Sequence, residues 1–145
     1  MSHVCDAALI VCEDFRLHQR KDGRNFIADF IKSEKVDCDL ITRGGDIQDI
    51  VRPKGDGYKD SMLRDTEVSS KLHQVKKVYL VSHEDCGAYG GSSAFDNREV
   101  EKNQHIADMQ EASKIIKEYF SPIDVLLYYA ELKEGSQDDF IMTKV

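Results

Sequence analysis

The chain opens its patterning with a run in which no polar residue interrupts, Ala7-Ala8-Leu9-Ile10-Val11-Cys12. A continuous apolar stretch of this length predicts a strand buried on both faces rather than an alternating surface strand. A polar segment follows to Gly23. Phe26, Ile27, Phe30 and Ile31 then fall at the spacing that lines one face of a helix, which is expected to end near Lys35. Val36 to Thr42 predicts a second strand, with Val36, Cys38, Leu40 and Thr42 on one side and Asp37, Asp39 and Ile41 on the other, the pattern of a sheet edge with one wetter face. Gly44 to Gly57 carries Pro53, Gly55 and Gly57 among charges and predicts an exposed, mobile connection.

A helix is expected over Tyr58 to Val75, with Met62, Leu63, Leu72 and Val75 as apolar contacts and Asp60 or Ser61 as N-cap. Val78 to Ser82 is the third strand. Arg98 to Phe120 is the longest helix, because Ile106, Met109, Ala112, Ile115, Ile116, Tyr119 and Phe120 recur at helical period until Pro122 stops it. Ile123 to Leu132 is a fourth strand; Gly135 and Ser136 turn the chain, and Phe140 to Val145 returns as an antiparallel edge strand. Strands alternating with helices predict an α/β three-layer sandwich, a mostly parallel sheet with helices on both faces. In the common strand order 2-1-3-4, strands one and three are neighbours where the winding reverses, and ligands bind outside their carboxyl ends.

Two chemically suggestive groups stand at those two ends. His83-Glu84-Asp85-Cys86-Gly87 places an imidazole and a thiol three residues apart just after strand three, and Cys12 closes strand one. Two thiolates and an imidazole suit zinc, and three protein ligands leave a fourth tetrahedral position open for chemistry. In Cys12-Glu13-Asp14-Phe15-Arg16 an extended chain would send Cys12, Asp14 and Arg16 to one side. Arg16 could then grip the Asp14 carboxylate through two parallel hydrogen bonds, keeping it off the metal.

Composition narrows the classes. With 20 Lys+Arg against 27 Asp+Glu the net charge is −7, with no clustered basic footprint for nucleic acid. The longest apolar run falls far short of the about 20 residues of a membrane helix, and no basic-then-apolar leader precedes it, so a cytoplasmic protein without a membrane partner is expected. The 145 residues fit one domain spanning 1–145. Four cysteines at 5, 12, 38 and 86 are too irregular for a disulfide framework; Cys5 and Cys38 are expected as buried thiols. Without metal, Cys12 and Cys86 could instead pair as a disulfide. His3, His18, His73 and His105 stand among polar residues and are expected at the surface, with His18 placed to shuttle protons.

Cys-x-Asp-x-Arg followed, tens of residues later, by His-x-x-Cys-Gly resembles the β-class carbonic anhydrases. The resemblance implies one Zn2+ per chain on Cys12, His83 and Cys86, and an Asp14–Arg16 dyad that gates the fourth position. It implies hydration of carbon dioxide to bicarbonate by zinc-bound hydroxide, or hydrolysis of a related electrophile such as carbonyl sulfide. It also leaves open a non-catalytic zinc-binding module with Asp14 as fourth ligand. Arg43-Gly44-Gly45-Asp46 stands where the family has an Arg followed by small residues. Phe15 replaces a usual Ser and Ser82 a common Gly. Only six residues precede strand one, where the family carries a helical arm that wraps a partner, so a trimmed member is expected, and a homodimer with it.

Overall fold

In the computed structural model, residues 3–145 are described. They form a five-stranded mixed sheet flanked by helices, an α/β fold. The strands are β1 (Ala7–Val11), β2 (Cys38–Thr42), β3 (Lys77–His83), β4 (Asp124–Leu132) and β5 (Phe140–Lys144), and the helices α1 (Phe26–Glu34), α2 (Gln48–Val51), α3 (Tyr58–Leu72) and α4 (Arg98–Phe120). The order across the sheet is β2-β1-β3-β4-β5, parallel from β2 to β4 and antiparallel between β4 and β5, as the strand pattern predicts.

β1 is buried at every position because β2 and β3 flank it and helices cover both its faces. Successive side chains alternate between two cores, as the pleat requires. Ala7, Leu9 and Val11 pack on one side with Ile27 and Phe30 of α1, Tyr79, Val81, Tyr128 and Phe140. Ala8 and Ile10 pack on the other with Met62 of α3, Leu80, and Met109, Ala112 and Ile116 of α4.

Local signals explain most boundaries. Asn25 and Asn97 cap α1 and α4, each accepting from the amide three residues on, and Lys35 closes α1 in the left-handed conformation at φ 56°. α4 runs over the predicted span. Its polar residues Glu101, His105 and Asp108 are buried too, while Tyr119, expected in the stripe, is 59% exposed.

Three expectations are corrected. The stretch between Gly44 and Gly57 is an exposed loop only from Arg52 onward: before that it folds into α2, and Asp46, Ile47, Gln48, Asp49 and Ile50 are buried. α3 starts after Gly57 (φ 80°) without a side-chain cap from Asp60 or Ser61, and it ends at Leu72, so Val75 enters the core from a turn. β2 begins at Cys38 rather than Val36, and its buried side chain is Ile41 while Leu40 is exposed. This inversion follows from register: Ile41 pairs with Ile10 and joins the core beneath α2 and α3.

Leu80 is fully buried in the central β3, whereas Ile141 on the edge strand is 52% exposed. Leu80→Ala should cost about 2–5 kcal/mol of unfolding free energy in urea melts, and Ile141→Ala should stay within about 0.5 kcal/mol of the parent.

Candidate metal centre

The parallel pairing of β1 with β3 sets Val11 opposite Val81. Cys12 therefore leaves β1 beside the stretch where β3 delivers Ser82 and His83. After His83 the chain turns through Asp85, in the left-handed conformation at φ 61°, and so swings Cys86 back. Ligand atoms of Cys12, His83 and Cys86 all lie within 4.8 Å of one another, and the three residues are buried. The two sulfurs are 4.0 Å apart, close to the about 3.8 Å edge of a tetrahedron with zinc–sulfur bonds near 2.3 Å. No disulfide links them.

His83 Nδ1 donates to the Glu84 carbonyl at 2.8 Å, which fixes the tautomer and leaves Nε2 as a lone-pair acceptor. That Nε2 is buried without a hydrogen-bond partner. An orphaned acceptor beside two thiols is the donor set of a soft cation, and these residues fit one. Without a cation, the neighbouring Cys86 thiol holds Cys12 below its usual range against the effect of burial, and the Gly45 amide adds to this. Cys86 moves up in turn, through that same contact with Cys12 and through burial. Deprotonating one thiol thus opposes deprotonation of the other, and a divalent ion would let both sulfurs ionise.

Asp14 and Arg16 meet, though not by extended-strand alternation. The chain enters a 3-10 turn over Phe15–Leu17 that Asp14 caps by accepting from the Arg16 amide at 2.9 Å. Arg16 Nη2 donates to Asp14 Oδ2 at 2.7 Å, and Nε donates to both carboxylate oxygens at 3.1 and 3.2 Å. Burial works against ionisation of Asp14, but these bonds hold its carboxyl below the usual range. Arg16 also donates from Nη1 to Asp85 Oδ2 and the Gln137 carbonyl, and from Nη2 to the Asp85 carbonyl. One guanidinium therefore ties the Cys12 segment to the His83 segment and to the β4–β5 turn.

Several residues support the centre in roles that the sequence pattern does not show. Asp46 is fully buried, accepts from Ile47 N and from Ser82 Oγ at 2.8 Å, and has its other oxygen unpartnered; burial pushes its carboxyl up to about 7. Ser82, standing where the resembled family commonly has Gly, thus anchors this carboxyl. Gly45 takes φ 80°, which side chains rarely adopt, and a Cβ there would stand only 3.0 Å from Ala88 Cβ. Glu84 accepts from Arg98 and the Leu132 amide, and Glu101 accepts from the Asp85 amide and Ser92 Oγ, so α4 and β4 hold the loop that carries Cys86. Arg43 pairs with Asp49 at 2.8 Å.

The histidines divide. His18 Nε2 donates to the Cys12 carbonyl at 2.7 Å, bracing the turn from within. His73 pairs with Asp39. His105, expected at the surface, is fully buried, with its ring 4.2 Å from that of Tyr89 and both nitrogens unpartnered. Its register was the available signal: positions 105, 109, 112 and 116 share the apolar face of α4. A cavity of about 440 Å3 lies between α1, β5 and the turn, lined by Arg16, Arg20, Phe26, Phe30 and Phe140 among others. It reaches the centre's surroundings at Arg16 and at Phe140, whose ring sits edge-on 6.0 Å from that of His83, but Cys12, His83 and Cys86 are not on its wall.

The fold is that of the β-class carbonic anhydrases: a β-carbonic anhydrase isoform I of Trichomonas vaginalis superposes with a TM-score of 0.53 over 97% of this chain and 83% of that one, at 13% identity. An apo form of carbon disulfide hydrolase superposes with a TM-score of 0.51, over 90% and 76% of the two chains at 14% identity. The family described as "Putative carbonic anhydrase" matches residues 2–137, and the chain belongs to it. An uncharacterized protein of Rickettsia bellii is 28% identical over 125 residues, and one of Rickettsia conorii is 29% identical over 126. Each match takes in 83% of this chain, but 73% and 64% of the relatives' own lengths. Among the described residues no helix is long and apolar enough to cross a membrane.

Burial brings His105 down to about 4 from an ordinary 6.5. The folded state therefore favours the neutral ring: its contribution to stability is fully present above pH 6.5 and is lost as pH falls towards 4. His105→Phe should flatten that part of the pH–stability curve, measured by urea unfolding at pH 7, 5.5 and 4.5, by at most about 3 kcal/mol.

Proposed function

We propose that the chain is a zinc-dependent lyase that hydrates carbon dioxide to bicarbonate, with one Zn2+ held by Cys12, His83 and Cys86. The observation that carries this assignment is the buried, unpartnered His83 Nε2 beside two buried thiols whose sulfurs stand 4.0 Å apart. Family membership supports a carbonic anhydrase-type reaction. When bound at such a site, zinc supplies a water nucleophile with a pKa of about 7 and a Lewis acid.

The chain's own groups do the rest. The Glu84 carbonyl orients His83 through Nδ1 and leaves Nε2 to ligate. Asp14 stays ionised because Arg16 donates to both its oxygens, and the same bonds hold the carboxylate away from the metal instead of letting it close the site as a fourth ligand. Its remaining acceptor capacity is available to a hydrogen bond from the attacking group, aligning it for the carbon of carbon dioxide. Arg16 is the positioning residue of this pair, and Asp85 and the Gln137 carbonyl hold Arg16 in turn. Carbonyl sulfide, a small linear electrophile related to carbon dioxide, is the second substrate to assay. On the same assignment residues 1–145 act as one zinc-binding domain in the cytoplasm, as a homodimer.

Protein purified without chelator should contain one zinc at this centre by metal analysis and should accelerate carbon dioxide hydration in stopped flow, with a rate that rises with pH. Cys86→Ser should lose that zinc and the activity together. Asp14→Ala should keep it and slow hydration by about 10–100-fold, with an unchanged far-UV circular dichroism spectrum. Zinc-free protein would overturn the metal assignment. Zinc-loaded protein at background rate on both substrates at alkaline pH would overturn catalysis and leave a binding module.

A further inference from the structure

At the opposite end of β1 stands a second convergence of ligand-type side chains. Cys5 precedes β1, Asp39 lies in β2, and His73 follows α3 as its C-terminal cap. These positions are far apart in sequence, yet ligand atoms of Cys5, Asp39 and His73 all lie within 4.8 Å of one another. Six residues of mostly extended chain lie between Cys5 and Cys12, so the two clusters stand roughly 20 Å apart and share no residue.

The backbone that carries the three side chains is held independently of them. The Cys5 amide donates to the His73 carbonyl at 3.1 Å, and the Asp6 and Ala7 amides donate to the Asp37 carbonyl at 2.9 and 3.3 Å. Asp6 Oδ2 accepts from the Asp37 amide at 2.8 Å, and β1 and β2 pair with Ala8 opposite Asp39. The frame is thus in place before any ligand arrives, which removes ordering entropy from the cost of binding. His73 Nδ1 already meets both Asp39 oxygens, at 2.8 and 2.7 Å.

We propose that Cys5, Asp39 and His73 form a second site for a borderline divalent transition-metal ion, Zn2+ by the chemistry of its donors, separate from the centre at Cys12, His83 and Cys86. A thiolate, an imidazole and a carboxylate are all zinc donors, and no hard-cation site would be built with a thiol. Unlike the buried centre, this one is open to solvent: the side chains of His73 and Asp39 are 38% and 28% exposed. An ion can enter without opening the core, and solvent completes its coordination. On binding, the ring proton of His73 moves from Nδ1 to the other ring nitrogen, freeing the Nδ1 lone pair for the metal, and the Cys5 thiol proton passes to solvent. Because a proton is released, affinity rises with pH.

Cys38 is close in sequence but is not part of the set. It adjoins Asp39 on β2 and so points to the other face, where it packs on the core of Leu9 and Val11, whereas Cys5 packs on the core of Ala8 and Ile10. Cys38→Ser is therefore a matched thiol control. The site joins the end of α3 to the starts of β1 and β2, so occupancy should stabilise the fold through mass action.

The test is a zinc titration of chelator-stripped full-length protein, followed by calorimetry, metal analysis after desalting, and thermal melting. Cys5→Ser and His73→Gln should each bind one equivalent fewer than the parent and lose the corresponding rise in melting temperature, while Cys38→Ser should match the parent. On the unmutated chain, Zn2+ should protect Cys5 from alkylation, read by peptide mass spectrometry, and leave the Cys38 rate unchanged. This readout does not depend on how the variants fold. Equal stoichiometry in parent, Cys5→Ser and His73→Gln, or a Cys5 alkylation rate indifferent to Zn2+, would overturn the proposal. Because Cys86→Ser removes only the other centre, failure here is distinguishable from failure there.

Discussion

The in-register parallel pairing of β1 with β3 is the constraint on which the rest of the centre depends. Parallel strands end on the same side of the sheet, so the residues just beyond their last paired positions are thrown together. Val11 opposite Val81 puts a thiol next to the stretch that carries an imidazole. A slip of one residue would turn every side chain of β1 to the other face and send Leu9 and Val11 into the wrong core. The continuous burial of β1 forbids that slip, so packing energy far from the centre holds its geometry.

Around this pairing the protein arranges charge at some expense. Asp46, Glu84, Glu101, His105 and Asp108 are all buried, and most are matched: Glu84 with Arg98 and the Leu132 amide, Asp108 with Arg52 and Tyr89. Such pairs add little net stability but fix orientation, because breaking one strands a charge in a poor solvent. The unmatched atoms are informative for the same reason. His83 Nε2 and one oxygen of Asp46 lack partners close to the ligand trio, where an ion would change the local field.

How much of this was legible in sequence depends on what each residue needed from afar. β1, α4 and the return of β5 could be read because their signals are local: an unbroken apolar run, an apolar stripe ended by proline, a glycine turn. The convergence of Cys12 with His83 and Cys86 follows once the strand order is assumed. α2 was hidden because Ile47 and Ile50 are brief apolar notes among charges, and their burial comes from α3 and the sheet. His105 was misplaced because its neighbours in sequence are polar while its neighbours in space, Tyr89, Phe95 and Tyr129, are aromatic. The corrected face of β2 has the same origin, a register fixed by β1.

Arg16 gives the molecule a temporal property as well as a spatial one. Its bond to the Gln137 carbonyl spans 121 residues, and contacts of such separation carry the heaviest loop-closure entropy. The guanidinium cannot be seated on all its acceptors until the β4–β5 hairpin has docked. During synthesis the N-terminal strand leaves the ribosome long before the last partner of its neighbouring arginine exists. The turn after β1 and the β4–β5 turn are thereby made to report on each other, and the dyad's guanidinium is fully seated only once both have folded.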